Sequence, residues 1–364
     1  MYNTAIQLLK QIEEKGFDAY IVGGYPRDLY LKRPSVDIDI CTNATPKDLK
    51  EIFGSIMLPT VNYGSVTIIK NKIRFEITTF RKDIKYENNR IPVKIKYIDS
   101  LSDDIKRRDF TINTICMDSD GTIIDLLNGR QDIDNKIIKM VGNPKIRLKE
   151  DSLRILRAVR FATVLDFKID DELKKYIKKY SYLLKNLSYY RKKEELDKIF
   201  SSNNVEYGIE LIKELNLAEP LELNNIDQIT IIPSSVGIWA QLDVSDKYTF
   251  TNNEKDLIEK IKELENKNIL DVDILYKYGL YLLTLVGEIK CIDRKLITIK
   301  HSELPIHSRL DINISAEEIC NSLNKKPGEF LKHIYEDLEY KILHRKLNND
   351  QQEIINYIIN NYKK

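Results

Sequence analysis

Apolar residues first recur at helical spacing, with Ala5, Leu8, Leu9 and Ile12 on one side of residues 4–15 and Gly16 as a stop. The period then changes. AYIVGG, residues 19–24, reads as a short buried strand ended by two glycines, and RDLYL as a helix start. In VDIDI, residues 36–40, Val36, Ile38 and Ile40 alternate with Asp37 and Asp39, which predicts a strand carrying both carboxylates on one face. SVTIIK, IRFEITTF and VKIKYI continue the strand-like run, with the polar stretch DIKYENNR between the last two. From about Asp104 the pattern turns helical, and GTIIDLLNGR adds a Gly-bounded β-like piece before Asn143-Pro144.

After Pro144 the spacing is helical to the end. Amphipathic segments fall around residues 150–164, 169–184, 190–201, 206–216, 253–266, 272–286, 315–322, 327–345 and 350–362, with breaks at Pro220, Pro233, Pro305 and Pro327. No fixed-period repeat or low-complexity linker interrupts them. The fold class is α+β: a mixed α/β part with a β-sheet over residues 1–140, then helical parts over 141–200, 201–275 and 276–364.

Composition narrows the chemistry. The 364 residues exceed the usual scale of one domain, and 58 Lys+Arg against 56 Asp+Glu exclude a uniformly basic nucleic-acid coat. The balance is uneven along the chain. Residues 141–195 hold 15 Lys+Arg and 8 Asp+Glu, a local +7, whereas residues 196–364 carry 21 and 28, a local −7. Phosphate contacts are therefore expected in the middle of the chain. The four Cys form no C-x-x-C pair, and no uncharged apolar run reaches membrane-spanning length, so a soluble, reducing, cytoplasmic setting is expected. All four His lie between residues 301 and 344, which leaves carboxylates as the first candidates for metal or acid/base work in residues 1–300.

Two motifs carry that chemistry. Gly23-Gly24-Tyr25-Pro26-Arg27-Asp28 follows a buried strand, where glycine lets the backbone approach a phosphate, a helix start offers unpaired N–H groups, and Arg27 adds a cationic fork. Asp37 and Asp39 on the next strand suit a pair of Mg²⁺ ions of the kind that serve in-line nucleotidyl displacement. Separately, a Gly-Gly pair marks a turn and a D-x-D strand a solvated face; the ordered combination says more. Asp151, Arg154, Arg157 and Arg160 recur every three residues, which on one helix draws a stripe of cations that an anion would relieve. An aspartate beside an arginine can also read the amine edge of cytosine or adenine, which G and U lack.

GGYPRD followed by DIDI resembles the signature of the polymerase-β-like nucleotidyltransferases, in the branch of the class II tRNA nucleotidyltransferases and bacterial poly(A) polymerases. TTFRKDIKYENNRIPVKIKYIDSLSDDIKRRDFTIN is similar to that branch's flexible loop and R-R-D-F-T-x-N motif, and IRLKEDSLRILRAVRFA to its E-D-x-x-R helix. The resemblance covers roughly the first 165 residues, with Pro26 where the family usually has Val, and Tyr190-Arg191 at a Glu-Arg position.

The resemblance implies a catalytic head, a neck, a body and a tRNA-binding tail. It also implies an enzyme that adds CMP, CMP and AMP to tRNA lacking all or part of its 3′ CCA, using CTP, ATP and two Mg²⁺ held by Asp37 and Asp39. Glu76 becomes the candidate third carboxylate. Gly24, Arg27, Arg108, Asp109, Asn113, Arg157 and Arg160 are assigned to the nucleotide, and Asp151 and Arg154 to choosing its base. In the basic run after residue 170, Lys174, Lys178, Lys192 and Lys193 are candidates for tRNA phosphates. No membrane or obligatory protein partner is implied. Poly(A) synthesis, A-only or CC-only addition, and a non-catalytic RNA-binding role share most of these motifs. The polar stretch 83–94 resembles the loop that switches the family between C and A.

Overall fold

The computed structural model describes residues 1–35, 37–62, 64–87 and 91–363. They form two compact units, residues 1–226 with 243–249, and residues 227–242 with 250–364.

In the first unit, helix α1 (Tyr2–Glu13) buries Ala5, Leu8, Leu9 and Ile12 against the sheet, as its spacing predicts. Strand β1 (Ala19–Val22), helix α2 (Gly24–Tyr30), strand β2 (Asp39–Thr42) and helix α3 (Pro46–Phe53) follow. Thr45 starts α3 through a reciprocal capping box with Asp48. Next come β3 (Met57–Asn62), β4 (Ser65–Lys70), β5 (Ile73–Thr79), β6 (Arg81–Glu87), β7 (Ile91–Tyr97), α4 (Leu101–Lys106), β8 (Cys116–Met117), β9 (Ile123–Ile124), α5 (Gly129–Asp134) and β10 (Ile137–Ile138). The main sheet runs β3-β4-β5-β2-β1-β8-β9, and β2 and β5 are its parallel pair. One apolar cluster of this unit holds Leu8, Leu9, Ile21, Ile38, Ile40, Ile68, Phe75 and Ile77, and a second holds Val22, Cys41, Phe80, Ile105 and Cys116.

Three expectations change here. The VDIDI strand starts only at Asp39; Val36 lies outside the described residues, yet Ile38 and Ile40 are buried while Asp37 and Asp39 are exposed, so the alternation holds beyond the ladder. The polar stretch 83–94 falls largely on β6 and β7, which pair antiparallel from Arg81↔Tyr97 to Glu87↔Ile91, with residues 88–90 outside the described set. Finally, the helix expected over 150–164 begins only at Leu153, as α7 (Leu153–Leu165), and a separate helix, α6 (Pro144–Glu150), precedes it.

Nor is the chain after Pro144 wholly helical. Helix α7 ends where Asp166 takes φ 57°, and strand β11 (Lys168–Ile169) then pairs parallel with β10. A further pair joins Leu223–Asn224 to Asp243–Val244. Helices α8 (Asp171–Tyr180), α9 (Tyr189–Phe200) and α10 (Val205–Glu214) complete the part that frames the site.

The second unit is helical, with Asn252–Leu264, Val272–Ile289, Ala316–Leu323, Phe330–Leu343 and Gln351–Tyr362 near their expected places. It also contains helices Ser235–Gln241 and Arg294–Ser302, which periodicity alone passed over. Leu275, Leu283, Ile297, Leu338 and Ile354 are among its buried residues. Among the described residues, no helix is long and apolar enough to cross a membrane.

Candidate active site

The floor of the site is set by strand register. Asp39 opens β2 and stands opposite Glu76 on the parallel neighbour β5, so two carboxylates project side by side from adjacent strands. Together with Val22, Ser65, Thr78, Arg81, Arg107 and Arg108 they line a cleft of about 190 Å³. Enclosure by the cleft, then the like charge of Glu76 with a smaller contribution from Asp37, pushes the Asp39 carboxyl up to about 6, although Arg108 and Arg157 pull it the other way. Solvent still reaches Asp39 through the mouth. Gly23, between β1 and α2, has φ 85°, a conformation glycine adopts at no cost, and its Cα faces Asp39 closely enough that a Cβ would lie 3.7 Å from Oδ2.

Among the described residues, no three His, Cys, Asp or Glu side chains are gathered tightly enough to form a ready cation cage. The donor set nevertheless fits a hard divalent ion: all oxygen, with two like charges forced together and Asp37 two residues from Asp39.

Beside the carboxylates runs a chain of paired cations. Arg27, buried midway along α2, donates from Nη1 to Asn113 Oδ1 at 2.6 Å and from Nε to its neighbour Asp28 at 2.9 Å. Asn113 donates to Asp109 at 3.1 Å, and Arg157 grips the other Asp109 oxygen with Nε at 2.8 Å and Nη2 at 2.6 Å. Burial alone would raise the Asp109 carboxyl, but Arg157 and the Asn113 hydrogen bond outweigh it and hold the group well below the usual range. Arg160 pairs with Glu195 of α9 at 2.6 Å. The ring of Phe161 underlies all three guanidinium groups, with centroid distances of 5.2 Å to Arg27, 5.3 Å to Arg157 and 4.0 Å to Arg160.

Arg108 stands apart. One Nη donates to the fully buried Asp104 at 3.1 Å, while its Nε is buried without a hydrogen-bond partner among the described residues. A buried donor left in this state is costly unless a ligand meets it.

The α6–α7 break moves Asp151 off the expected stripe. It caps α6 with extended dihedrals of φ −144° and ψ 101°, and its Oδ1 accepts from Leu153 N–H at 3.1 Å, as a short polar side chain at a helix junction does. Arg154 is buried and donates to the Arg147 carbonyl at 2.8 Å and the Arg107 carbonyl at 3.3 Å, tying α7 to the R-R-D-F segment. Arg157 and Arg160 do share a face, through Phe161 and Glu195.

Of the four lysines expected at RNA, Lys174 and Lys178 reach Glu214 at 3.3 and 3.6 Å on the surface. Lys192 departs from expectation. It is 1% exposed, with its ammonium 3.3 Å from the Pro220 carbonyl and 4.4 Å from the Tyr189 ring centroid. Lys193 is buried as well and pairs with Asp197 at 2.8 Å. Both sit on the inward side of α9, one turn before Leu196, which composition could not reveal.

Asp104, Glu195, Arg147 and Phe161 were not singled out from the sequence. The available signals were spacing: Asp104 precedes Arg107 and Arg108 by three and four residues, and Glu195 precedes the buried Ile199 by four.

Comparison with known proteins bears on this arrangement. Residues 19–139 match the Poly A polymerase head domain, 166–226 the model for an RNA and SrmB binding site of polymerase A, and 246–358 the model for tRNA nucleotidyltransferase domain 2. The CCA-adding enzyme of Ligilactobacillus salivarius is 32% identical, over 97% of this chain and 95% of its own, and that of Anoxybacillus flavithermus 31%, over 100% and 98%. The structure of the Bacillus stearothermophilus CCA-adding enzyme in complex with CTP superposes with a TM-score of 0.76 at 25% identity, covering 99% of this chain and 97% of that one. The fold also matches the Thermotoga maritima CCA-adding enzyme complexed with tRNA, at a TM-score of 0.66 and 19% identity, over 98% and 94%.

Proposed function

Because the chain belongs to the CCA-adding enzymes, which are tRNA nucleotidyltransferases, we propose that it builds or repairs the 3′ end of tRNA by template-independent addition of CMP, CMP and AMP from CTP and ATP. The observation that carries this reading is one cleft in which Asp39 and Glu76 face Arg108 with its unpartnered Nε. A carboxylate pair beside an arginine that keeps one N–H without a partner among the described residues suits a metal-borne triphosphate.

The superfamily generally uses divalent metal. Here Asp37 and Asp39, with Glu76 alongside, would hold two Mg²⁺. When bound, these ions supply a lowered pKa for the attacking 3′-hydroxyl and charge neutralisation for the departing pyrophosphate. The protein's own residues do the positioning. Gly24, Arg27 and Arg108 hold the triphosphate, and the Arg157–Asp109–Asn113 chain fixes Arg27 for that task. Asp151 and Arg154 offer an acceptor and donors for the amine edge of C or A. The tRNA 3′-oxygen then attacks the α-phosphate in line, and the barrier is lowered by orientation and charge.

The head corresponds to residues 1–140 and the neck to 141–200, with body and tail over 201–275 and 276–364. Lys174 and Lys178 are the neck lysines assigned to acceptor-stem phosphates in this reading, supported by their lying at the surface with Glu214 as their only ion-pair partner among the described residues. The cytoplasm is the proposed compartment. The test is stepwise extension of labelled tRNA lacking CCA, with CTP, ATP or both. Ordered addition of two C and one A is expected, and Asp37→Ala with intact folding should add nothing. Wild-type-like incorporation by that variant would end the metal assignment, and ATP-only tailing of generic RNA would end the CCA reading.

A further inference from the structure

Asp104 is a carboxylate with no solvent exposure, and its three donors come from two different parts of the site. Oδ1 accepts from the Arg81 backbone N–H at 3.1 Å and from Arg107 Nε at 2.7 Å, while Oδ2 accepts from Arg108 Nη2 at 3.1 Å. Arg81 is the first residue of β6, the root of the β6–β7 hairpin, and Arg81, Arg107 and Arg108 all line the carboxylate cleft. Burial works against ionisation of Asp104, but Arg107 and Arg108 outweigh it and keep the carboxyl below the usual range.

A buried carboxylate need not link two elements in this way. The Arg107 and Arg108 bonds alone would neutralise it within its own helix turn. The third bond fastens the hairpin root to the wall that carries Arg108, and Asp39 feels the Arg108 charge in turn.

We propose that Asp104 is a positioning residue that latches the root of the β6–β7 hairpin to Arg107 and Arg108, so that hairpin and nucleotide-holding arginines move as one. The inference rests on the nucleotidyltransferase reading for its kinetic consequence, though not for the latch itself. Asp104→Asn keeps one acceptor but turns an amide N–H₂ toward the Arg108 guanidinium, donor against donor.

The experiment compares wild type, Asp104→Asn and Asp104→Glu by hydrogen exchange and by single-step CMP and AMP addition. Asp104→Asn should speed exchange of the β6 amides selectively over those of β4 and β5. It should also raise KM for both nucleotides by about tenfold, the scale of a lost charge-assisted hydrogen bond. Asp104→Glu retains the charge and should show the same pattern more weakly; it decides the matter where the Asn variant does not fold. Unchanged β6 exchange, or a uniform loss of protection across the first unit with unchanged KM, would overturn the latch. Wild type that adds no nucleotide would defeat the functional reading instead, and β6 exchange would still judge the latch.

Discussion

Replacing Asp39 by Asn should make the protein more stable at neutral pH while abolishing nucleotide addition. The Asp39 carboxyl stands at about 6 against 3.8 for an ordinary aspartate, a difference worth at most about 3 kcal/mol. Because solvent reaches the side chain, screening reduces that to about 1 kcal/mol. Its sign follows from where the proton sits. The folded chain holds a proton that the unfolded chain releases between pH 4 and 6, so stability falls as pH rises through that window, and the penalty is complete above it. Asn carries no charge and escapes the penalty. Thermal melts at low ionic strength in EDTA should therefore place Asp39→Asn roughly 2–4 °C above wild type at pH 7.5, and the gain should shrink to nothing toward pH 4. Adding Mg²⁺ should raise the wild-type midpoint and leave the variant in place, since a ligand stabilises only a state that binds it. A variant that melts at or below wild type at pH 7.5, or one whose gain is equal at pH 4.5 and 7.5, would refute the reasoning.

Arg154→Ala should blur the choice between CTP and ATP on tRNA ending in CC, at a stability cost of about 1–3 kcal/mol for the carbonyls it leaves unmatched; full selectivity in the variant would count against a role in base choice. Gly129→Ala drives a Cβ into the Thr111 carbonyl, within the R-R-D-F-T-I-N segment. The expected loss is about 1–3 kcal/mol in denaturant unfolding, and a neutral result would mean that α5 can shift freely. Lys192→Met keeps the buried stem and should leave the KM for tRNA within about twofold, because no phosphate contact is lost, whereas Lys174→Glu with Lys178→Glu should raise it and flatten its salt dependence.

The sequence alone determined the burial of α1, the strands β1, β4 and β5, and the alternation that turns Asp37 and Asp39 outward while Ile38 and Ile40 go in, but not α3, β3, β6 or α5. These are local facts, fixed by a period of two or 3.6 residues and by glycine or proline at the ends. The long motifs named the family because their residue types stand in a fixed order.

Tertiary structure decided whatever depends on neighbours far along the chain. That Glu76 stands opposite Asp39 is a matter of parallel register between strands 37 residues apart. That Arg154 donates to the Arg107 carbonyl, or that Glu195 receives Arg160, needs helices brought together from 47 and 35 residues away. Lys192 shows the limit most plainly. Its charge run reads as a solvated face, yet the packing of α9 beside Pro220 puts the ammonium inside, over the ring of Tyr189 from the same helix. Periodicity tells which residues share a face; only packing tells what that face meets, and the electrostatics of the site follow from the meeting.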